Sequence, residues 1–321
     1  MELANLASSS RSEGFSLEAA QQMGLALCFH GELSAARIQL EKVAEPYRPN
    51  IHGASAFLRG GTHFAVGATT VIGGFVLPVC GFPDEALIRC QQSLDLAAEL
   101  NHPYSKAFAL WGFSRLLLTR GELSASNGHA DSVLSIAGER GFKQFFPWIS
   151  VLKGEICLKQ QKISDAISGI SKGIDGTLKL GSALFVSGLT ARLAEAYSLD
   201  VQVSKGLQLI EESLDRMQQS QERYFKSTLY HVKGKILLRG GSEHEGEAQS
   251  CFRTALELAQ SQQQAILCQL RAATSLAELL QRQNKVTEAC NLLSPACDHF
   301  TRECEVSDVM NAKVLLVSLS R

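Results

Sequence analysis

The sequence predicts an all-α fold: a right-handed α-solenoid of about seven helical hairpins, closed by a C-terminal capping helix. Small residues recur along the 321-residue chain at intervals of 40 to 50, and a second small residue follows nearly every one of them after twelve positions. A period near forty with two small contact points per repeat is typical of stacked helical hairpins. The chain has only seven prolines and 7% aromatic residues, which favours helices over a many-turned β sandwich. The small anchor residues are Gly24, Gly74, Ser114, Gly154, Ala194, Gly234 and Ala277.

The first repeat illustrates the pattern with Gly24, Leu27, Gly31, Ala36 and Leu40. A small anchor lets the two helices of a hairpin approach closely, and the apolar residue three positions later packs into that contact. The residue seven positions after the anchor, often Gly or Asn, supplies the left-handed conformation that ends the first helix. The second small residue lets the second helix cross the first, and later apolar residues continue its buried stripe.

In chain order, we expect residues 1–15 to form a flexible polar leader and residues 16–302 to form the repeat array. The repeats are predicted at about 16–50, 51–101, 102–141, 142–180, 181–220, 221–262 and 263–302. The sixth repeat carries two extra residues in its turn, between Ser242 and Gly246. Residues 303–321 are predicted to form the capping helix, because the open end of a solenoid needs a cover. Val309, Ala312 and Leu316 are expected on its buried side.

One uncharged segment, residues 60 to 83, is long enough to span a bilayer. It is rich in glycine and contains His63 and Pro78, which favours a buried first helix of the second repeat, with a membrane-associated hairpin as the alternative. Its glycines are not followed by Lys-Ser or Lys-Thr, so the segment does not match a phosphate-binding loop. Close helix packing explains the glycines better.

Composition bears on the class of function. The chain has 31 Lys and Arg against 32 Asp and Glu, a net charge of -1, which gives no reason to expect nucleic acid or an anionic membrane as partner. Nine cysteines without CxxC pairs argue against a disulfide framework or a zinc ribbon and indicate a reducing, cytoplasmic setting. HExxH is absent, and the one GxSxG match, Gly169 to Gly173, lies within the second helix of the fourth repeat rather than after a strand, so it is not a nucleophile elbow. We therefore expect no enzymatic activity, no cofactor and no metal.

Two stretches carry a family resemblance. Leu193-Ala194-x-x-Tyr197 resembles the best-known fragment of the tetratricopeptide repeat (TPR), although a period of 40 exceeds the usual 34. The segment from Leu270 to Ala277, with Glu288-Ala289, is similar to the last repeat of bacterial signalling proteins that join a class III adenylate or guanylate cyclase to an AAA-type ATPase and a TPR-like array. Because a Walker A motif is absent, the resemblance covers the array alone. It implies signal transduction, with an ATPase or cyclase module as partner.

The resemblance also implies where a ligand would bind. In TPR-like arrays the first helices line a concave groove, which predicts a non-enzymatic scaffold for a peptide or partner domain. Tryptophan and arginine are common anchors in such contacts, although a single residue at such a position is more often an ordinary exposed or half-buried helix residue than an anchor. The groove candidates are Trp111, Arg115, Trp148, Glu155, Glu195, His231, Lys235, Arg271 and Glu278.

Two alternatives to the scaffold remain at this stage. The chain is either a regulatory domain that senses a small ligand or a detached C-terminal part of a cyclase/ATPase signalling enzyme. An apolar pocket near Trp111 and Trp148 would favour the small-ligand domain. An adjoining ATPase would favour the detached part.

Overall fold

All regular elements in the described part of the chain are helical, which confirms the predicted all-α class. The computed structural model describes residues 13–44, 61–182, 185–220, 222–261, 264–301 and 303–320, with side chains from residue 16 onward. The expected leader, residues 1–15, lies outside this range except for its last three residues, which begin the first helix at Glu13.

The described helices form seven hairpins followed by one final helix. The hairpins are α1 (Glu13–Phe29) with α2 (Leu33–Ala44); α3 (Phe64–Val71), a π-helical turn (Ile72–Val76) and α4 (Leu77–Val79) with α5 (Pro83–Glu99); α6 (Pro103–Arg120) with α7 (Leu123–Arg140); α8 (Phe145–Lys159) with α9 (Ile163–Lys179); α10 (Val186–Leu199) with α11 (Val203–Ser220); α12 (Lys226–Gly240) with α13 (Glu245–Ser261); and α14 (Ile266–Arg282) with α15 (Val286–Asp298). The final helix is α16 (Ser307–Leu319).

The chain divides into two compact units. The N-terminal unit comprises residues 1–78 and 82–145, and the C-terminal unit comprises residues 79–81 and 146–321. In the C-terminal unit, α16 packs on α14 and α15, as expected of a capping helix. Val309 and Ala312 are fully buried there, and Leu316 packs against the same core.

The turn inside each hairpin has the predicted conformation. The residue seven positions after each predicted anchor has a positive φ in all seven hairpins, a conformation that glycine adopts freely and other residues adopt with some strain. The angle is +143° in the sixth hairpin, which carries the extra turn residues, and lies between +60° and +91° in the other six hairpins. The prediction holds even where the residue is not glycine or asparagine. The seven residues are Gly31, Gly81, Gly121, Gln161, Val201, Gly241 and Asn284.

The small residues form the helix contacts that their spacing predicts. A Cβ built on Gly154 would lie 2.8 Å from the backbone nitrogen of Ile170 and 3.1 Å from the carbonyl oxygen of Ala166, so only glycine fits there. In the third hairpin, Ser114 Oγ donates a hydrogen bond of 2.6 Å to the carbonyl oxygen of Ser126, and both side chains are fully buried. These contacts fix how closely the two helices of a hairpin approach.

The second repeat corrects one anchor. Gly74 was predicted to contact the second helix, but Gly73 does so: a Cβ on Gly73 would lie 2.8 Å from Cys90 Sγ and 3.0 Å from the Ala86 carbonyl oxygen. Gly74 instead faces the following hairpin, where its Cβ would lie 2.8 Å from the carbonyl oxygen of Gly112. The physical reason is the π-helical turn, which adds one residue to the helix and rotates Gly74 away from its own hairpin.

The uncharged segment forms the first helix of this second repeat, as predicted. All residues from Phe64 to Val71 and from Ile72 to Val76 are buried. In the described part of the chain, no helix combines the length and the apolar character that crossing a membrane would need.

Candidate functional site

Charged side chains from the first helices of the C-terminal unit meet in one network, which we call the inner cluster. Its members come from α8, α10, α12, α14 and α16, and they are joined by ion pairs or lie close enough to shift one another's pKa values. First helices align side by side in stacked hairpins, which explains why residues about forty positions apart come together. The inner cluster consists of Lys159, Arg192, Glu195, His231, Lys235, Arg271 and Asp308.

Glu195 is the central acid of the inner cluster. Lys235 Nζ donates a close hydrogen bond to Glu195 Oε1, and Arg192 Nη1 lies 3.3 Å from Oε2. The Glu195 side chain is only 12% exposed. Burial by itself would raise the pKa of Glu195, but the charges of Lys235 and Arg192 outweigh it and hold the pKa below its usual range. The carboxylate therefore remains ionised and ties α10 to α12.

Arg271 and Asp308 form a second ion pair, which joins α14 to the capping helix. Arg271 Nε donates to Asp308 Oδ2 at 2.6 Å, and both side chains are 23% exposed. Burial by itself would raise the pKa of Asp308, but Arg271 and, more weakly, Lys159 hold it at about 2. The ion pair therefore keeps Asp308 ionised and links α14 to α16.

His231 contributes a neutral hydrogen-bonding group. Its Nε2 lies 2.9 Å from Ser275 Oγ on α14. Burial and, after it, the nearby charge of Lys235 together lower the pKa of His231 to about 3. The ring is therefore uncharged at neutral pH. About two turns further along α12, Arg239 Nη1 donates to Ser198 Oγ at 3.0 Å.

The inner cluster carries an excess of positive charge. Four cationic groups face two carboxylates, because His231 is neutral. Lys159 is solvent-exposed and makes no ion pair with any described residue. Partial desolvation lowers the pKa of Lys159; Asp308 opposes this effect, while Arg271 and Arg192 add to it more weakly. An anionic group would fit this site better than a cationic one.

The corresponding surface of the N-terminal unit is aromatic. Trp111 is 6% exposed, and its ring lies 5.3 Å from those of both Phe75 and Phe108. The Arg115 guanidinium lies 4.8 Å above the Phe75 ring, and its Nε is buried without a hydrogen-bond partner among the described residues. Trp111 therefore packs α6 against the π-helical turn, which leaves little of its surface for a ligand.

The remaining candidates are not drawn into the inner cluster. Trp148 and Glu155 are half-buried on α8, and Glu278 is exposed on α14. The sequence thus predicted four members of the inner cluster and missed Lys159, Arg192 and Asp308. A signal existed for Lys159, which lies five residues after its anchor, as Arg239 does two repeats later. Asp308 lies outside the periodic array, so spacing gives no indication of it.

One cavity of about 360 Å³ lies in the N-terminal unit, lined by residues that include Gln21, Thr62, Phe64 and Phe108. Neither Trp111 nor Trp148 lines it, so it is not the pocket that would have favoured a small-ligand receptor. Its wall includes Gly61 and Thr62, which follow directly on residues 45–60, outside the described part of the chain.

Comparisons with known proteins support the fold and not a particular activity. No family model matches the chain, and no curated protein matches it. Among solved structures, NprR in complex with its cognate peptide NprX aligns with 95% of this chain and 82% of its own, at 14% identity and a TM-score of 0.57. A Rap protein complexed with competence and sporulation factor aligns with 93% and 80%, at 12% identity and a TM-score of 0.62. The apo quorum sensor NprR from B. thuringiensis aligns with 94% and 80%, at 13% identity and a TM-score of 0.53.

At these identities the similarity concerns the fold alone. The chain has the architecture of TPR-like helical repeat proteins, as its spacing and the Leu193 to Tyr197 fragment predicted. The association with cyclase and ATPase domains stays a prediction.

Proposed function

We propose that this chain is a non-enzymatic regulatory array that binds a short peptide, or an extended segment of a partner protein, along the first helices of its C-terminal unit. The observation that carries the proposal is the inner cluster. Four successive first helices and α16 bring charged and hydrogen-bonding groups together there.

The geometry suits a peptide because its polar groups are held in place before a ligand arrives. Glu195 is fixed by Lys235 and Arg192, and Ser275 contacts His231. Side chains already fixed by such contacts lose less conformational entropy on binding, which favours affinity. An extended peptide presents backbone N–H and C=O groups that this mixture of donors and acceptors can satisfy.

The comparisons support this proposal without testing it. Two of the structurally similar proteins were solved with a bound peptide or signalling factor, NprX on NprR and competence and sporulation factor on a Rap protein. With the sequence resemblance, this favours a cytoplasmic signalling role in a bacterium. An ATPase or cyclase module would then be the partner that responds to the bound peptide, with neither nucleic acid nor a membrane involved.

A display library of random heptapeptides, selected on the whole chain, tests the proposal. Amide hydrogen exchange is then measured with and without a selected peptide. We expect slower exchange in α8, α10, α12 and α14, the helices that carry the inner cluster. Slower exchange confined to the second helices, or no enriched peptide, would contradict the proposal.

A matched pair of variants makes the same test specific to the site. Glu195→Gln/Lys235→Gln removes both charges of the central ion pair and keeps hydrogen-bonding side chains, so we expect at least a tenfold loss of peptide affinity. Glu212→Gln/Lys172→Gln makes the same chemical change at exposed positions of second helices and should leave affinity unchanged. Equal affinity for both variants would place the peptide elsewhere.

A further inference from the structure

The cavity of the N-terminal unit has room for a small organic molecule. Its volume of about 360 Å³ lies within the range of ligand pockets, which is about 300–1,000 Å³. The described residues that line it fall between Glu18 and Phe108, so it shares no residue with the inner cluster. A ligand bound here would therefore act in addition to the proposed peptide and would not compete for the same side chains.

Helices α1 and α3 form the long walls of the cavity. A Cβ built on Gly67 of α3 would overlap Gln21 Nε2 of α1, so these two residues lie side by side. Leu25 and Val71, each four positions further along its helix, also line the cavity. Since α1 and α3 are the first helices of successive hairpins, they run in the same direction. The two pairs therefore mark successive levels of the same space.

The two ends of the cavity differ in polarity. Along α1, the side chains that line it change from Glu18 and Gln21 to Leu25. At the level of Leu25 the wall is completed by the fully buried Leu40, whose Cγ would lie 2.6 Å from a Cβ built on Gly24. One end is therefore lined by Glu18, Gln21 and Thr62, and the other by Leu25, Leu40 and Val71.

Gln21 and Thr62 supply hydrogen-bonding groups at the polar end. Thr62 Cγ2 lies 3.5 Å from the Cβ position on Gly67 that Gln21 Nε2 overlaps, so the two side chains converge beside this glycine. Both are half-buried, and neither makes a hydrogen bond with a described residue. An amide and a hydroxyl each donate and accept hydrogen bonds. A ligand group that does both can pair with them in place of water.

We propose that this cavity binds a small uncharged amphiphile, whose hydroxyl or primary amide group pairs with Gln21 and Thr62. Its apolar body contacts Leu25 and Phe108, which line the rest of the space. The carboxylate of Glu18 disfavours an anionic group at the polar end, because like charges repel. A cationic group would lose its hydration on entering, which an uncharged group avoids.

Four probes with the same phenylbutyl body test the head group: phenylbutyramide, phenylbutanol, phenylbutyrate and phenylbutylamine. Their binding to the whole chain is followed by Trp111 fluorescence in a Trp148→Phe background. Trp111 reports on the cavity because its ring lies 5.3 Å from that of Phe108. We expect the amide and the alcohol to bind at least about tenfold more tightly than the acid and the amine, which must give up the hydration of a charge.

A matched pair of variants tests the polar end. Gln21→Leu keeps the size of the side chain and removes its hydrogen-bonding group. We expect about tenfold weaker binding of phenylbutyramide and no weaker binding of butylbenzene, which has the same apolar body without a head group. Gln91→Leu makes the same change at an exposed position of α5 and should alter neither affinity. Matching circular dichroism spectra confirm that both variants fold.

Hydrogen exchange adds a measurement that needs no substitution. Phenylbutyramide should slow amide exchange in α1 and α3, the helices that form the walls. Slower exchange in other helices only, equal binding of the amide and the acid, or an unchanged affinity in Gln21→Leu would overturn the site. The absence of binding by all four probes would also overturn it, because the cavity would then hold water alone. Each of these results leaves the proposed peptide site standing, since the two sites share no residue.

Discussion

In the N-terminal unit, the residue that follows the third anchor is Arg115, which stacks on Phe75 beside the buried Trp111. In the C-terminal unit, the same repeat position is occupied by Glu195 and Lys235, which pair with each other between neighbouring first helices. One backbone pattern therefore supports an aromatic contact in one unit and an ion-pair network in the other.

The difference shows that the side chains, and not the hairpin geometry, decide whether this surface is closed or open. Aromatic rings fill the space beside the helices of the N-terminal unit and leave Trp111 6% exposed. Charged side chains cannot fill that space without losing hydration, so in the C-terminal unit they stay partly exposed and pair with one another. We therefore expect substitutions in the N-terminal unit to act on packing and those in the C-terminal unit to act on charge.

The largest expected effect tests the packing of the N-terminal unit. Gly74→Ala would place a Cβ 2.8 Å from the backbone oxygen of Gly112, which cannot rotate away, so we expect a loss of about 3 kcal/mol in unfolding free energy. Urea unfolding followed by Trp111 fluorescence, in a Trp148→Phe background, measures it. Gly128→Ala, on an exposed face with nothing near the added methyl, should stabilise by about 0.5–1 kcal/mol. If both substitutions changed the unfolding free energy equally, the first helices of the second and third hairpins would not be in close contact.

Removing a cation from the inner cluster should lower the unfolding free energy somewhat less than Gly74→Ala does. Lys235→Met leaves the poorly exposed Glu195 with only Arg192, and we expect a loss of about 2 kcal/mol in the C-terminal unit. Hydrogen exchange of α10 and α12 measures the loss. Adding Glu195→Gln to this variant should recover part of it, because the unpaired charge is then gone. A double variant no more stable than Lys235→Met would mean that charge is not the cause.

The stability of the C-terminal unit should depend on pH through His231. Its pKa of about 3 in the folded protein lies below the ordinary value of 6.5, so between these values the unfolded chain binds the extra proton. Stability should therefore fall as pH drops from 6.5, by at most about 1.4 kcal/mol per pH unit from this residue.

His231→Asn should reduce that slope while keeping a hydrogen-bonding partner for Ser275. Urea unfolding between pH 6.5 and 4.5 makes the comparison, since the ion-paired Asp308, with its pKa of about 2, loses its contribution only at lower pH. Burial also lowers the pKa values of His102 and His129 in the N-terminal unit, but their effect is the same in both proteins. If the unfolding free energy of the two proteins depended on pH with the same slope, His231 would not be the residue that causes the pH dependence.

The smallest expected effect concerns the aromatic contact. Arg115→Met keeps most of the aliphatic contact with Phe75 and removes the cation–π attraction, so we expect a loss of about 0.5–1 kcal/mol. Trp111 fluorescence during urea unfolding, again with Trp148→Phe, is the measurement. Lys106→Met, at an exposed position of the same helix, is the control and should be near neutral. If Arg115→Met lowered the unfolding free energy as much as Lys235→Met does, charge would matter equally in the two units, against the expectation.

The repeat spacing was sufficient to predict the hairpins because the requirement for a small residue at a helix crossing is steric and local. The left-handed turns followed for the same reason, and the predicted position held even at Val201, whose side chain disfavours that conformation. The hairpin contact therefore imposes the turn conformation more strongly than the turn residue does.

The site was predicted only in part, and the reasons differ from residue to residue. Trp111 was assigned to an open groove because its repeat position faces inward, but burial there depends on Phe75 and Phe108, which periodicity does not relate to it. Lys159 and Arg192 were missed because long side chains reach the site from positions beside the predicted ones. Asp308 comes from a helix outside the repeat.

The π-helical turn at Ile72–Val76 also bears on how such an array can change length. A residue gained inside the helix leaves the left-handed conformation at Gly81 intact, whereas a residue gained in the turn would lengthen the connection. The misfit is confined to a single widened loop of backbone within the helix. Deleting one residue there would restore a regular α-helix and the usual seven-residue spacing between the anchor and the turn. A single residue can therefore be gained or lost at this point without a change in the turn.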